Sequence, residues 1–121
     1  MTTRDIENRT FTFACEVAQL CAFLMTQGPV IRRLSYQLLD AGTSVGSNAE
    51  EATGAQTRAD FVSKCAVVRK EARESRFWLR LIVALDRRLA ERVGPLAVEA
   101  GELVAIFDAS IKTAKSNAKK H

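Results

Sequence analysis

Six arginines recur along one stretch of the chain with helical spacing. Arg58, Arg69, Arg73, Arg76, Arg80 and Arg87 are separated by 11, 4, 3, 4 and 7 residues. On an α-helix that spacing puts them on one side. A guanidinium is always charged, and its planar fork of donors fits phosphate and carboxylate. Like charges at i,i+4 repel by a few tenths of a kcal/mol per pair, roughly. Asp60 can offset Lys64 and Glu74 can offset Lys70, so the row is only partly compensated. Two readings remain. One is a surface that contacts the phosphates of RNA or DNA. The other is a solvated face whose arginines serve salt bridges between subunits. Phe77 and Trp78 lie beside the row, with Trp78 expected in the core or an interface. Two adjacent aromatics are thin interleaving, so stacking on single strands gains no support.

A second polar set comprises Ser44, Asn48, Glu51, Lys64 and Glu71. Ser44, Asn48 and Glu51 share one side of one helical segment, and Lys64 and Glu71 share one side of the next. In an antiparallel hairpin those sides can meet. A buried amide or ion pair between helices fixes register and orientation at some cost in stability, and that structural role is the expectation here. Glu50, Glu51, Glu71 and Glu74 also invite comparison with di-metal carboxylate bundles, which need a Glu-x-x-His on two helices. The sole histidine is His121. No metal, no cofactor and no catalytic residue is therefore expected. Histidine-based acid–base or triad chemistry lacks its central residue, and no Walker-type loop is present to cradle phosphates.

The elements that position these residues follow from apolar spacing and breaks. Gly28-Pro29, Gly54 and Gly94-Pro95 divide the chain into four helical segments. The predicted spans are near 5–26, 30–53, 57–93 and 96–116. Asp5 is the expected first N-cap. The first helix carries the stripe Ile6, Phe13, Val17, Leu20 and Leu24. Beside it runs a second stripe of Phe11, Cys15, Ala18, Ala22 and Met25, which suggests cover on more than one side. The second helix buries Leu34, Leu38, Ala41, Val45, Asn48 and Ala52. Gly42 and Gly46 predict either a bend near Ser44–Ser47 or a close helix contact. The third buries Phe61, Cys65, Val68, Ala72, Ser75, Leu79, Ile82, Asp86, Leu89 and Val93, in bundle-like 4/3 alternation. Thr57 with Asp60 forms an approximate capping box at its start. The fourth buries Leu96, Ala100, Leu103, Phe107, Ile111 and Ala114. Short connections make the expected fold all-α, an up-down-up-down antiparallel four-helix bundle.

Composition agrees with one domain over 1–121, its basic tail fraying from about 116. Apolar residues are 47% and charged residues 26% of 121, an ordinary globular balance. The net charge is +4. Between Arg58 and Arg92, 10 Lys/Arg stand against 5 Asp/Glu, and Lys112, Lys115, Lys119 and Lys120 follow, so the excess sits on the third helix and the tail. No apolar run reaches the length needed to span a bilayer, and the N-terminal segment lacks the apolar centre of a signal peptide. Neither a membrane nor an extracytoplasmic location is expected. Cys15, Cys21 and Cys65 read as small buried hydrophobes in a cytoplasmic protein.

RTFTFA, QLLDAGTSVGSNAEEA, ADFVSK and KEARESRFWLRL together carry a resemblance over nearly the whole chain. The chain resembles the small bacterial four-helix-bundle proteins encoded within intervening sequences of 23S ribosomal RNA genes. The accessory protein of diversity-generating retroelements looks like a more distant member. Ser44, Asn48, Glu51, Asp60, Phe61 and Lys64 match the family's S-N-x-x-E-A and D-F-x-x-K motifs. The resemblance implies a cytoplasmic bundle that assembles into a homo-oligomer, with a ring-shaped pentamer favoured. It also implies a nucleic acid or a protein as partner. Relatives often carry a proline at or near Gly46. Asp40 stands where many have a basic residue, and Cys21 where many have an aromatic one.

Overall fold

The computed structural model describes residues 2–119. Four helices build the fold, with no strand among the described residues. They are α1 (Thr3–Leu24), α2 (Pro29–Thr53), α3 (Arg58–Leu85) and α4 (Ala90–Lys119), and a 3-10 turn over Arg87–Leu89 leads into α4. Successive helices run antiparallel. The Thr53 hydroxyl near the end of α2 donates to the Glu7 carboxylate near the start of α1, and Arg69 in early α3 meets Asp108 in late α4.

Capping chemistry sets most of the boundaries. Thr2, rather than Asp5, caps α1: its hydroxyl accepts from the Asp5 N–H at 3.1 Å, and the Asp5 carboxylate accepts from the Thr2 N–H at 3.0 Å. That is a reciprocal capping box with Asp in the third position. α1 ends at Leu24, two residues before the expected Thr26. Gly28 turns the chain into α2 with φ 97°, a conformation that costs glycine little, and Pro29 opens the helix where its missing donor is not needed. Thr57 caps α3 by accepting from the Asp60 N–H at 3.0 Å.

The expected third boundary needs correction. α3 ends at Leu85, not near residue 93, and Gly94-Pro95 lies inside α4. Asp86 makes the break. Its backbone is extended, and its carboxylate accepts from the Arg88 N–H at 3.2 Å and from the Arg88 guanidinium at 2.9–3.0 Å. Asp86 is thus a cap and an ion-pair partner, not a core position. Pro95 falls in the second turn of α4, where it removes one backbone bond without ending the helix. Helical structure also continues to Lys119, past the expected fraying point at 116. Lys120 and His121 lie outside the described residues.

The core is formed by one stripe from each helix. α1 contributes Phe13, Val17, Leu20, Cys21 and Leu24; α3 contributes Cys65, Val68, Ala72, Ser75, Leu79 and Ile82. α4 supplies Val93, Leu96, Ala100, Leu103, Phe107 and Ile111. On α2 the buried set is Ile31, Ser35, Leu38, Ala41, Gly42, Val45, Ala49 and Ala52. Asn48 and Leu34 are half-buried at the edge of this stripe, with Ala49 in the core position. α2 runs unbroken through its glycines, which serve close approach. A Cβ on Gly42 would fall 2.5 Å from a Val17 methyl, and one on Gly46 would fall 3.0 Å from the Ala14 Cβ.

Candidate nucleic-acid interface

Burial of the α3 stripe turns the arginine row outward. Arg58, Arg73, Arg76, Arg80 and Arg87 are exposed, and among the described residues none has an acidic group within ion-pair distance. The expected Asp60–Lys64 and Glu74–Lys70 pairs do not form. Arg69 departs from the row: its Nη1 lies 2.6 Å from Asp108 Oδ1 on α4. The Arg69 hydrogen bond holds the Asp108 carboxyl below the usual carboxylate range, assisted by the charges of Lys112 and Arg73. Arg69 is therefore a fastening between α3 and α4, while its neighbours remain available.

Arg73, Arg76 and Arg80 form the continuous part of the surface, spanning roughly 10 Å of helix, and Arg87 follows in the 3-10 turn beyond the end of α3. Arg58 stands apart at the first turn of α3. The Arg76 side chain leans across Gly101 of α4, its Nε 3.5 Å from where a Cβ would be. Small residues there open two shallow grooves beside the arginines. One of about 420 Å³ is lined by Arg76, Arg80, Ala97, Val98, Gly101, Glu102 and Ala105, and one of about 300 Å³ by Arg80, Val83, Ala84, Arg87, Gly94 and Ala97. An extended anion could meet the Arg76, Arg80 and Arg87 guanidinium groups here, with the Glu102 carboxylate as the one acidic group among the described residues lining the first groove.

The second polar set does not come together as expected. Ser44 donates to the Asp40 carbonyl at 2.7 Å, and Asn48 donates its amide to the Ser44 carbonyl at 2.9 Å. Glu51 is exposed, and Lys64 and Glu71 are half-buried. No hydrogen bond or ion pair joins these α2 and α3 residues among the described contacts. Mid-helix Ser and Asn carry a carbonyl acceptor within reach one turn back, and that local bond satisfies them. The Glu71 carboxyl is pushed up by burial and then by neighbouring Glu74, against a smaller opposing effect of Lys70. Its position is thus mildly unfavourable to charge rather than paired.

Two contacts that sequence reasoning missed close the seam between α1 and α4. Arg9 forks onto Glu99 with two bonds of 2.7 Å and reaches Glu102 at 2.5 Å. The Arg9 hydrogen bond holds the Glu99 carboxyl below its ordinary value despite partial burial. At the other end of the seam, Arg92 stacks over the Phe23 ring at 3.7 Å, a cation–π contact. The i,i+3 pair Glu99 and Glu102 was the available signal for Arg9, but its partner lies 90 residues away in sequence.

The remaining chemistry-bearing groups are quiet. Cys21 and Cys65 are buried as expected, and burial pushes each thiol up to about 11, which suppresses the reactive thiolate. Cys15 is a correction: it is exposed on α1. Among the described residues no three His, Cys, Asp or Glu gather to hold a metal ion. A cleft of about 880 Å³ opens at the end of the bundle between Thr3, Ile6, Gln56, Phe61, Ser110 and Asn117. Arg58 is its one charged lining residue among those described. No helix of the described residues is long and apolar enough to cross a membrane.

Fold and surface together define a small antiparallel four-helix bundle with one cationic face. The family model described as 23S rRNA-intervening sequence protein matches residues 3–108, and the chain belongs to that family. A crystal structure from Bacteroides thetaiotaomicron VPI-5482, described as a protein with unknown function from the S23 ribosomal protein family, is similar over most of the chain. It shares 31% sequence identity and superposes with a TM-score of 0.80, over 88% of this chain and 98% of that one. No curated protein matches the chain.

Proposed function

We propose that the protein is a non-catalytic, cytoplasmic, self-assembling bundle that binds nucleic acid weakly and with little sequence preference through Arg73, Arg76 and Arg80. Arg87, beside Arg80, extends that surface, and Arg58 is a separate exposed cation at the start of α3. The observation that carries this reading is the row of exposed guanidinium groups without acidic partners among the described residues. Such a row attracts a polyanion and provides forked donors for phosphate oxygens. Self-assembly is supported by α1. Phe11 is 69% exposed, and Cys15, Ala18 and Ala22 continue its exposed apolar face. A second copy covering that face would remove it from water. The resemblance to family members that form rings favours a pentamer.

Titration of the assembled protein against labelled RNA and DNA across a salt series tests the reading. Affinity should fall steeply with salt, and Arg73→Ala with Arg76→Ala should weaken every sequence about equally. Absence of binding at low salt would leave a second reading, an adaptor oligomer that recruits a protein. Exposed Val67 and Leu85 on α3 are the observation that favours it.

A further inference from the structure

We propose that Phe77 is a base-stacking platform set among the arginines, so that this face accepts an unpaired, single-stranded stretch of nucleic acid in preference to a duplex. The inference rests on the phosphate-contact reading above and specifies its partner. Phe77 is 54% exposed, although a phenyl ring is normally withdrawn from water. Its ring is not loose. Trp78 meets it edge-on, with centroids 5.0 Å apart and planes at 75°, and Trp78 itself is half-buried against the core. One ring is thus braced while much of its surface remains open to solvent.

Its neighbours on the helix decide what can cover it. Arg73 lies four residues before Phe77 and Arg80 three residues after, the separations at which side chains on a helix adjoin, and the half-buried Glu74 and Leu81 take the other two such positions. Arg76 precedes Phe77 directly, and all three arginines are exposed. An apolar protein segment docking on Phe77 would bring its own surface against these cations. A single-stranded nucleic acid satisfies both parts at once: phosphates meet the guanidinium groups, and a splayed base covers the ring. A duplex keeps its bases stacked inside and offers only phosphates. Val67 and Leu85 are also exposed, but they lie roughly 80° further round α3 at the helical repeat, away from the arginines. Val98 of α4 is exposed and lines the groove beside Arg76 and Arg80, but it has no ring face for a base, so Phe77 is distinguished as the exposed ring among the arginines.

The test uses the native oligomer, a labelled single-stranded oligonucleotide and the blunt duplex of the same length, read by anisotropy at several salt concentrations. The native protein should bind the single strand about tenfold more tightly than the duplex, the range expected for one stacked base. Phe77→Ala should lose that advantage, leave duplex binding unchanged and keep the salt slope, because no charge is removed. Phe77→Tyr should retain the advantage. Trp78, the sole tryptophan, should change its emission when the single strand binds. Equal affinity of the native protein for both forms, or equal effects of Phe77→Ala on both, would overturn the stacking role while leaving the arginine surface standing. Loss of assembly in Phe77→Ala by light scattering would make the ring a subunit contact and overturn it too. Failure of the native protein to bind either form would remove the parent reading itself.

Discussion

On α2 the mid-helix Ser44 and Asn48 side chains turn back on their own helix, whereas on α3 the exposed arginines reach away from theirs. Ser44 and Asn48 each donate to a carbonyl one turn earlier, so their positions ask nothing of a neighbour. Arg73, Arg76 and Arg80 have only donors and carry a full charge at the end of a long stem, unlike the short neutral groups of Ser44 and Asn48. Their charge has to be met by water, an acidic residue or a ligand. Arg69 shows what an acidic neighbour does, since Asp108 takes it out of the row. The difference separates polar residues that decorate a fold from those that leave a surface unfinished.

The same contrast orders the expected effects of mutation. α2 is committed to packing, so the largest loss should come from Gly42→Leu. A Cβ there already meets Val17, and overpacking at such a contact costs about 3 kcal/mol. Urea unfolding should show the midpoint fall, whereas a change within error would mean the α1–α2 contact is softer than described. Arg9→Ala should cost about 1–2 kcal/mol at neutral pH, more than a typical surface pair because the fork onto Glu99 is bidentate and half-buried. Arg9 depresses the Glu99 carboxyl, so this contribution is present above the ordinary carboxylate pKa. It is lost as pH falls through the depressed value. Melting curves of the native and variant proteins should therefore converge as pH drops below about 4. A gap that persists in strong acid would assign the effect to the arginine stem instead. Asn48→Leu should be the mildest, changing stability by less than about 1 kcal/mol, since the lost bond is local and the side chain half-buried. A drop of several kcal/mol would restore the idea of a polar link between α2 and α3.

Much of this was legible in the chain. The 4/3 rhythm of Cys65, Val68, Ala72, Ser75, Leu79 and Ile82 picked out the buried stripe of α3, and with it the outward side that holds the arginines. The boundary after α3 was not legible, because Gly94-Pro95 is the stronger breaker on paper. What ends the helix is Asp86 capping through Arg88, a local bond whose geometry spacing does not reveal. For Asn48 the apolar periodicity was misleading by one residue. Ala49 takes the core position, a shift that moves a helical side chain by roughly 100°. The second apolar stripe of α1 was visible, and its exposure in a single chain follows from it. Arg9–Glu99 and Arg69–Asp108 join helices far apart in sequence, so no local spacing announces them. Phe77 was visible as a residue but not as an exposed ring, since its setting depends on how Trp78 packs.

The most direct measurement is the slope of log affinity against log salt for nucleic-acid binding, in three proteins of equal assembly state. These are the native chain, the α3 variant Arg73→Ala with Arg76→Ala, and the α2 variant Ser44→Ala with Asn48→Ala. Each phosphate contact contributes a slope of roughly 0.7–0.9. The α3 variant should bind more weakly and flatten the slope by about one unit per arginine removed, while the α2 variant keeps the native slope. An unchanged slope in the α3 variant, or an equal change in both, would contradict the assignment of the phosphate surface to α3.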